Sequence, residues 1–193
     1  MTETKVSAQI QNRSFFIMED NKLENTYESP NIITRTYFKT KVWFAIKIAK
    51  LKREEIILDY GCGSGWLERK LKKYKIYGYD INPQKTFIKD YRKIIPDKIF
   101  CLDVFEHIRS NEIGKIVDNF KNGKKGFELI VSIPTENKIS KTVRKLVGKS
   151  EVPEEHITKY PEIIKILKSK LKLIKKFNFL TVSYIFLFKN IPD

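Results

Sequence analysis

The chain has 193 residues, 38 Lys+Arg against 23 Asp+Glu, a formal net charge of +15, 41% hydrophobic and 32% charged residues. That composition excludes a disordered chain, a collagen-like chain and a disulfide scaffold. A chain of this length buries roughly 70% of its unfolded surface, enough for one core, and no apolar run approaches the ~20 residues of a membrane-spanning helix.

Residues 1–30 are polar, acidic and aperiodic up to Ser29-Pro30, which predicts an N-terminal arm with no secretory signal. From Ile33 to Leu51, apolar residues alternate with Lys at near-helical spacing, predicting an amphipathic helix. Ile56-Ile57-Leu58 reads as a strand ending in Asp59-Tyr60 and running into Gly61-Cys62-Gly63-Ser64-Gly65. A helix is expected over Trp66 to Lys73, then a second strand from Ile76 that ends on Asp80. Strand, glycine loop, helix and strand in this order open a doubly wound parallel sheet.

Ile81 to Asp97 leaves room for one helix after Pro83 and at most a stub of strand. Ile99 to Leu102 is a compact apolar strand, Ile108 to Phe120 a helix, and Phe127 to Ile133 another buried strand stopped by Pro134. Residues 135–158 read as a lid-like insertion with a short helix over Val143 to Val147. Pro161 to Lys170 is expected to be a helix with Pro in its first turn. Leu171 to Phe177 and Leu180 to Phe188 would close the sheet as an antiparallel hairpin around Asn178. The expected architecture is α/β, Rossmann-like and doubly wound, with a mostly parallel sheet, a C-terminal antiparallel hairpin and one domain over residues 31–193.

The positive charge is spread along the chain, and 31 of its carriers are Lys against 7 Arg. A surface built to grip phosphates leans on bidentate guanidinium groups, so a small-molecule partner is the first expectation and nucleic acid the second. Two cysteines, Cys62 and Cys101, predict reduced thiols in a cytoplasmic protein.

The informative unit is Leu58-Asp59-Tyr60-Gly61-Cys62-Gly63-Ser64-Gly65 with Asp80, 21 residues beyond Asp59. Glycines at a strand end let the backbone turn through positive φ and approach a ligand. An acid ending the second strand can accept hydrogen bonds from both hydroxyls of a ribose. A pyrophosphate-binding loop needs G-x-G-x-x-G, and its third glycine would fall on Trp66. Asp59 at the mouth of the loop repels a pyrophosphate and suits a cation, which favours S-adenosylmethionine over a dinucleotide.

ILDYGCGSGWL, YGYDINP and FCLDVFEHI together resemble the class I S-adenosylmethionine-dependent methyltransferases, in the small-molecule group with a D-V-x-E-H-I segment. LIVSIPTEN and LVGKSEVPEEHITKY are similar to the same group's fifth strand and the lid before its last helix. The resemblance implies that Asp59 and the backbones of Gly61, Cys62, Gly63 and Gly65 surround the methionine end of the cofactor. It also implies that Asp80 binds the ribose, Ile81 packs on the adenine, and Cys101 and Leu102 line the floor near the sulfonium. The chain departs from the family between Ile81 and Asp97, where a third strand is shortened or missing and Asp90 is a weak stand-in for the acidic adenine contact. Arg35 or Tyr37 is expected near the cofactor's carboxylate.

Asp103, Glu106 and His107 stand at i, i+3 and i+4, so on a helix they would share a face. Three readings stand side by side. Asp103 caps the helix while its neighbours make surface contacts, or His107 takes the acceptor's proton. In the third, the acids and imidazole hold a divalent cation, as in the segment's resemblance to quinone-biosynthetic and small-RNA methyltransferases, with His156 folding over the same mouth. The leading expectation is methyl transfer to an O or N atom of a small-molecule or lipid-like acceptor, with no metal assigned. An RNA methyltransferase, metal-assisted or not, and a catalytically degenerate interaction subunit are the alternatives.

Overall fold

The computed structural model describes residues 27–123, 126–135 and 156–191. Most of the arm and the expected helix over Val143 to Val147 lie outside the described residues.

Six strands form one sheet in the order β2-β1-β3-β4-β6-β5. They are β1 (Ile56–Tyr60), β2 (Lys75–Tyr79), β3 (Lys98–Leu102), β4 (Glu128–Pro134), β5 (Lys172–Phe179) and β6 (Ser183–Lys189). β1 pairs parallel with β2 and β3, and β3 parallel with β4. β6 alone is reversed, antiparallel to both β4 and β5. The Rossmann-like sheet with its terminal antiparallel hairpin is therefore present.

Strand residues alternate between two faces, and the two cores follow that alternation. Ile57, Phe100, Ile130, Ile185 and Leu187 pack under α1 (Ile32–Ala49) and α2 (Trp66–Lys70). Leu58, Ile99, Cys101, Leu129, Val131, Phe186 and Phe188 pack under α3 (Ser110–Lys121) and α4 (Tyr160–Lys170). Both faces are covered, which is why the central strands read as continuous apolar runs. Helix α1 begins at Asn31, whose side chain accepts from the backbone N–H groups of Ile33 and Thr34.

Three expectations need correction. No helix follows Pro83: Asn82 holds a turn by accepting from Gln84 N at 3.0 Å, and the N–H groups of Phe87 and Ile88 both donate to the Gly78 carbonyl. A single 3-10 turn over Tyr91–Lys93 completes the segment, so the third strand of the family is missing and β2 is the sheet edge. Helix α2 stops at Lys70, short of the expected Lys73. The hairpin turn sits at Leu180-Thr181, both in left-handed conformation, while Asn178 stays in β5 and its side chain accepts from Thr181 N at 2.8 Å.

Phe100 is fully buried in the α1–α2 layer. Phe100→Ala is expected to lower stability by about 3–5 kcal/mol, measured by urea denaturation.

Candidate functional site

β1, β2, β3 and β4 run parallel, so the loops after them leave at one sheet edge, and the residues singled out in the sequence gather there. The bend after β1 is fixed by Gly61 N and Cys62 N, which donate to the Tyr79 carbonyl at 2.7 and 3.1 Å. Gly61, Gly63 and Gly65 all have positive φ, at 83°, 51° and 69°. At Gly61 the requirement is double, because a Cβ there would also run into the Val104 methyl groups. Gly63 faces open space.

Asp80 follows β2 and is aimed at this bend. One carboxylate oxygen accepts from Gly63 N at 2.9 Å and the other from Asn82 N at 2.9 Å. The group is half-buried and keeps unused lone pairs. Next to it Ile81 is 75% exposed, an apolar side chain left on the rim. Asp90 is committed to Arg92, which it meets through both guanidinium Nε and Nη2. Cys62 and Cys101 are both buried free thiols, and burial pushes both thiols up, away from thiolate character. Cys101 points into the α3–α4 core, whereas Leu102 packs half-buried on the α1 side.

Asp59 is buried beneath the bend at 5% exposure. Burial, then the neighbouring carboxylates of Glu68 and Asp80, hold its carboxyl well above the usual carboxylate range. Burial raises Glu68 in the same way.

The Asp103-Val104-Phe105-Glu106-His107 segment does not start a helix. Asp103 stands in left-handed conformation at φ 56°, and Phe105–His107 is one 3-10 turn whose first residue has no side-chain cap. Asp103 therefore neither caps nor shares a face with Glu106 and His107. It accepts from Ser132 Oγ at 2.8 Å and pairs with the buried ammonium of Lys41. Burial opposes the charge on Lys41, but the Asp103 carboxylate outweighs it and holds the ammonium above the ordinary lysine range.

Glu106 faces a different partner. Ile157 N and Thr158 N donate to its carbonyl, and Thr158 Oγ1 donates to Ile108 O at 2.6 Å, which ties the stretch before α4 to the 3-10 turn. His156 is thereby brought edge-on to His107, ring centroids 5.1 Å apart. One ligand atom each from Glu106, His107 and His156 lies within 4.8 Å of the others. Those donors suit a divalent transition metal.

Four residues at this edge escaped sequence reasoning: Tyr27, Lys41, Glu68 and Ser132. Tyr27 stacks on Trp66 with centroids 5.2 Å apart. Burial first, then the Asp103, Asp59 and Glu68 carboxyls, push its phenol upward, so it remains a neutral hydroxyl. Lys41 had a readable signal, a cation within the buried stripe Thr34, Lys41, Val42, Ala45 and Ala49. Arg35 donates to the Ser29 carbonyl, and Tyr37 shares a hydrogen bond with Ser183 Oγ at 2.9 Å.

A family profile described as a methyltransferase domain matches residues 35–172. No curated protein matches the chain. Among solved structures, the chain is similar to magnesium protoporphyrin IX methyltransferase (ChlM) from Synechocystis PCC 6803 with bound SAH, at TM-score 0.66 and 19% identity over 95% of this chain and 100% of that one. It is similar to the N-methyltransferase NodS from Bradyrhizobium japonicum WM9, at TM-score 0.61 and 14% identity over 88% and 97% of the two chains. It also resembles the small RNA methyltransferase HEN1, at TM-score 0.58 and 18% identity, over 80% of this chain and 25% of that one.

Removing Lys41 strands a carboxylate in a largely dry site. Lys41→Met is expected to destabilise the fold by about 3 kcal/mol, and adding Asp103→Asn should recover most of the loss, as read from denaturation midpoints.

Proposed function

Because the chain belongs to the methyltransferase-domain family, we propose that it transfers a methyl group from S-adenosylmethionine to an O or N atom of a small-molecule or lipid-like acceptor. The observation that carries this reading is the positive-φ glycine bend with Asp80 hydrogen-bonded into it and Asp59 buried beneath it. The bend offers backbone room at Gly63, Asp80 has free lone pairs for a ribose, and exposed Ile81 can cover an adenine. These residues fit the cofactor. Bound there, S-adenosylmethionine supplies a methyl group on a sulfonium, which leaves S-adenosylhomocysteine when an acceptor lone pair takes it.

The chain's own contribution is placement. Holding two reactants in line is worth up to about 7–11 kcal/mol of barrier, and no residue need form a covalent bond. Of the residues at the mouth, His107 is the candidate to receive the proton an O–H or N–H acceptor gives up. Asp103, expected among the catalytic groups, instead orients Lys41 and Ser132, and Glu106 anchors the stretch carrying His156.

A second reading is favoured by the Glu106, His107 and His156 cluster. These three residues would hold a divalent cation that lowers the pKa of an acceptor hydroxyl. The likeness to a small RNA methyltransferase and the net charge of +15 extend this reading to an RNA acceptor. Asp103 is outside the ligand set, since its oxygens serve Ser132 and Lys41.

Two measurements test these readings. Calorimetry should give micromolar binding of S-adenosylhomocysteine and none of NAD. Asp80→Ala should weaken binding at least about 100-fold, since charge-assisted hydrogen bonds contribute roughly 1.5–3 kcal/mol each; NAD binding alone overturns the assignment. In the metal reading, exhaustive chelation abolishes methyl transfer to small-molecule or RNA acceptor pools, and Mn²⁺ or Mg²⁺ restores it. Turnover unchanged by chelation removes the cation.

A further inference from the structure

Glu68 is the residue at the bend whose chemistry is least accounted for. It sits in the first turn of α2, pointing back across the loop rather than out to solvent. A Cβ on Gly78 would collide with its carboxylate, and one on Gly65 would lie 3.6 Å from an oxygen of the same group. Both oxygens are sealed from solvent without a hydrogen-bond partner. Asp59 is paired in register with that same Gly78, which sets its carboxyl, 5% exposed, beside the Glu68 oxygens. A carboxyl can donate to another only while it keeps its proton. Two adjacent buried carboxylates cannot both ionise without a compensating charge.

The surroundings give little relief. Asp80 stands across the bend, the Cys62 thiol and the Tyr27 hydroxyl are neutral, and Asp103 is occupied by Lys41. Arg69, next to Glu68 on α2, directs Nη1 at the Ser64 carbonyl at 2.5 Å and Nη2 at Glu28, and its charge only partly offsets the burial of Glu68. Among the described residues none forms an ion pair with Asp59 or Glu68, and a proton supplies the positive charge the pair lacks.

We propose that Asp59 and Glu68 form a one-proton carboxyl pair that receives the ammonium group at the amino-acid end of the cofactor, the pair giving up its proton as the ammonium arrives. This rests on the cofactor reading and adds Glu68 to its binding residues. The exchange balances: the ligand's R–NH3⁺ stays protonated, the proton on Asp59 passes to solvent, and Asp59 becomes ionised alongside the already ionised Glu68. Burial and the neighbouring carboxyls raise Asp59 above its unfolded value, so between the two values the fold holds a proton that the unfolded chain has lost. Its contribution to stability is complete below about pH 4 and is lost as pH rises through the folded value.

The test is calorimetric titration of the full chain with S-adenosylhomocysteine, in buffers of low and high ionisation enthalpy, at steps from about pH 5 to 9. Wild type should release up to one proton on the acid side of this range, with affinity rising by up to about tenfold per pH unit before levelling off. Glu68→Gln keeps the shape, lowers the charge and supplies an amide donor to Asp59. It should bind without proton release, bind more weakly at high pH, and melt above wild type in unliganded form at pH 8. Asp59→Asn, a second near-isosteric change, should likewise lose proton release. Equal heats in both buffers across the whole range overturn the pair, and so does proton release in Glu68→Gln equal to that of wild type. Failure of wild type to bind S-adenosylhomocysteine at any pH overturns the cofactor reading itself; binding without proton release overturns the pair alone.

Discussion

Carboxyl groups crowd one backbone bend on a protein that is otherwise strongly basic, and much of the architecture exists to hold them there. Asp59, Glu68 and Asp80 surround the glycine loop, and the buried ammonium of Lys41 is committed to a fourth acid, Asp103. Burying like charges destabilises a fold unless a proton or a cation intervenes. On the proposed reading, the arrangement trades fold stability for complementarity to a positive ligand, a trade typical of binding sites. The sign of the site is opposite to the net charge of +15, so overall charge says little about what binds there.

Parallel strands make the crowding possible. Because β1 lies between β2 and β3, the residues that follow all three strands leave at the same edge. That places the glycine bend, Asp80 and Asp103 side by side although up to 42 residues separate them. Ser132 near the end of β4 and Ser183 at the start of the reversed β6 reach the same edge, where Ser132 bonds Asp103 and Ser183 bonds Tyr37 on α1. Helix α1 thus crosses the mouth as a fourth wall, and Lys41 is the side chain it contributes. The 3-10 turn of Phe105–His107 rotates Glu106 and His107 away from Asp103 toward His156.

The parts legible in the sequence were those with a local physical cause. Short continuous apolar runs located the central strands, and three glycines plus an acid 21 residues beyond Asp59 located the bend. Two kinds of feature were not legible. A helix after Pro83 looked feasible, but Asn82 and the Gly78 carbonyl offer that stretch hydrogen bonds that a helix would forfeit. Asp103 at i, i+3 and i+4 spacing suggested a shared face, yet the spacing has meaning only on an α-helix, and the chain turns left-handed at Asp103. Glu68 could not be found from spacing, since its role depends on α2 folding its first turn back onto Gly78, a contact between elements.

The missing third strand shapes what the site can discriminate. With β2 at the edge, the stretch from Ile81 to Asp97 packs across it as turns, and its one well-placed acid, Asp90, is spent on Arg92. What remains at the adenine side of the proposed pocket is apolar: Ile81 at 75% and Phe87 at 64% exposure. Apolar contacts discriminate weakly, about 1–3 kcal/mol for a methylene, whereas an unmatched buried charge is rejected far more strongly. On the proposed reading, therefore, a cationic sulfur nucleoside is separated from a pyrophosphate-bearing nucleotide at the amino-acid end. Two buried carboxyls there repel a further anion.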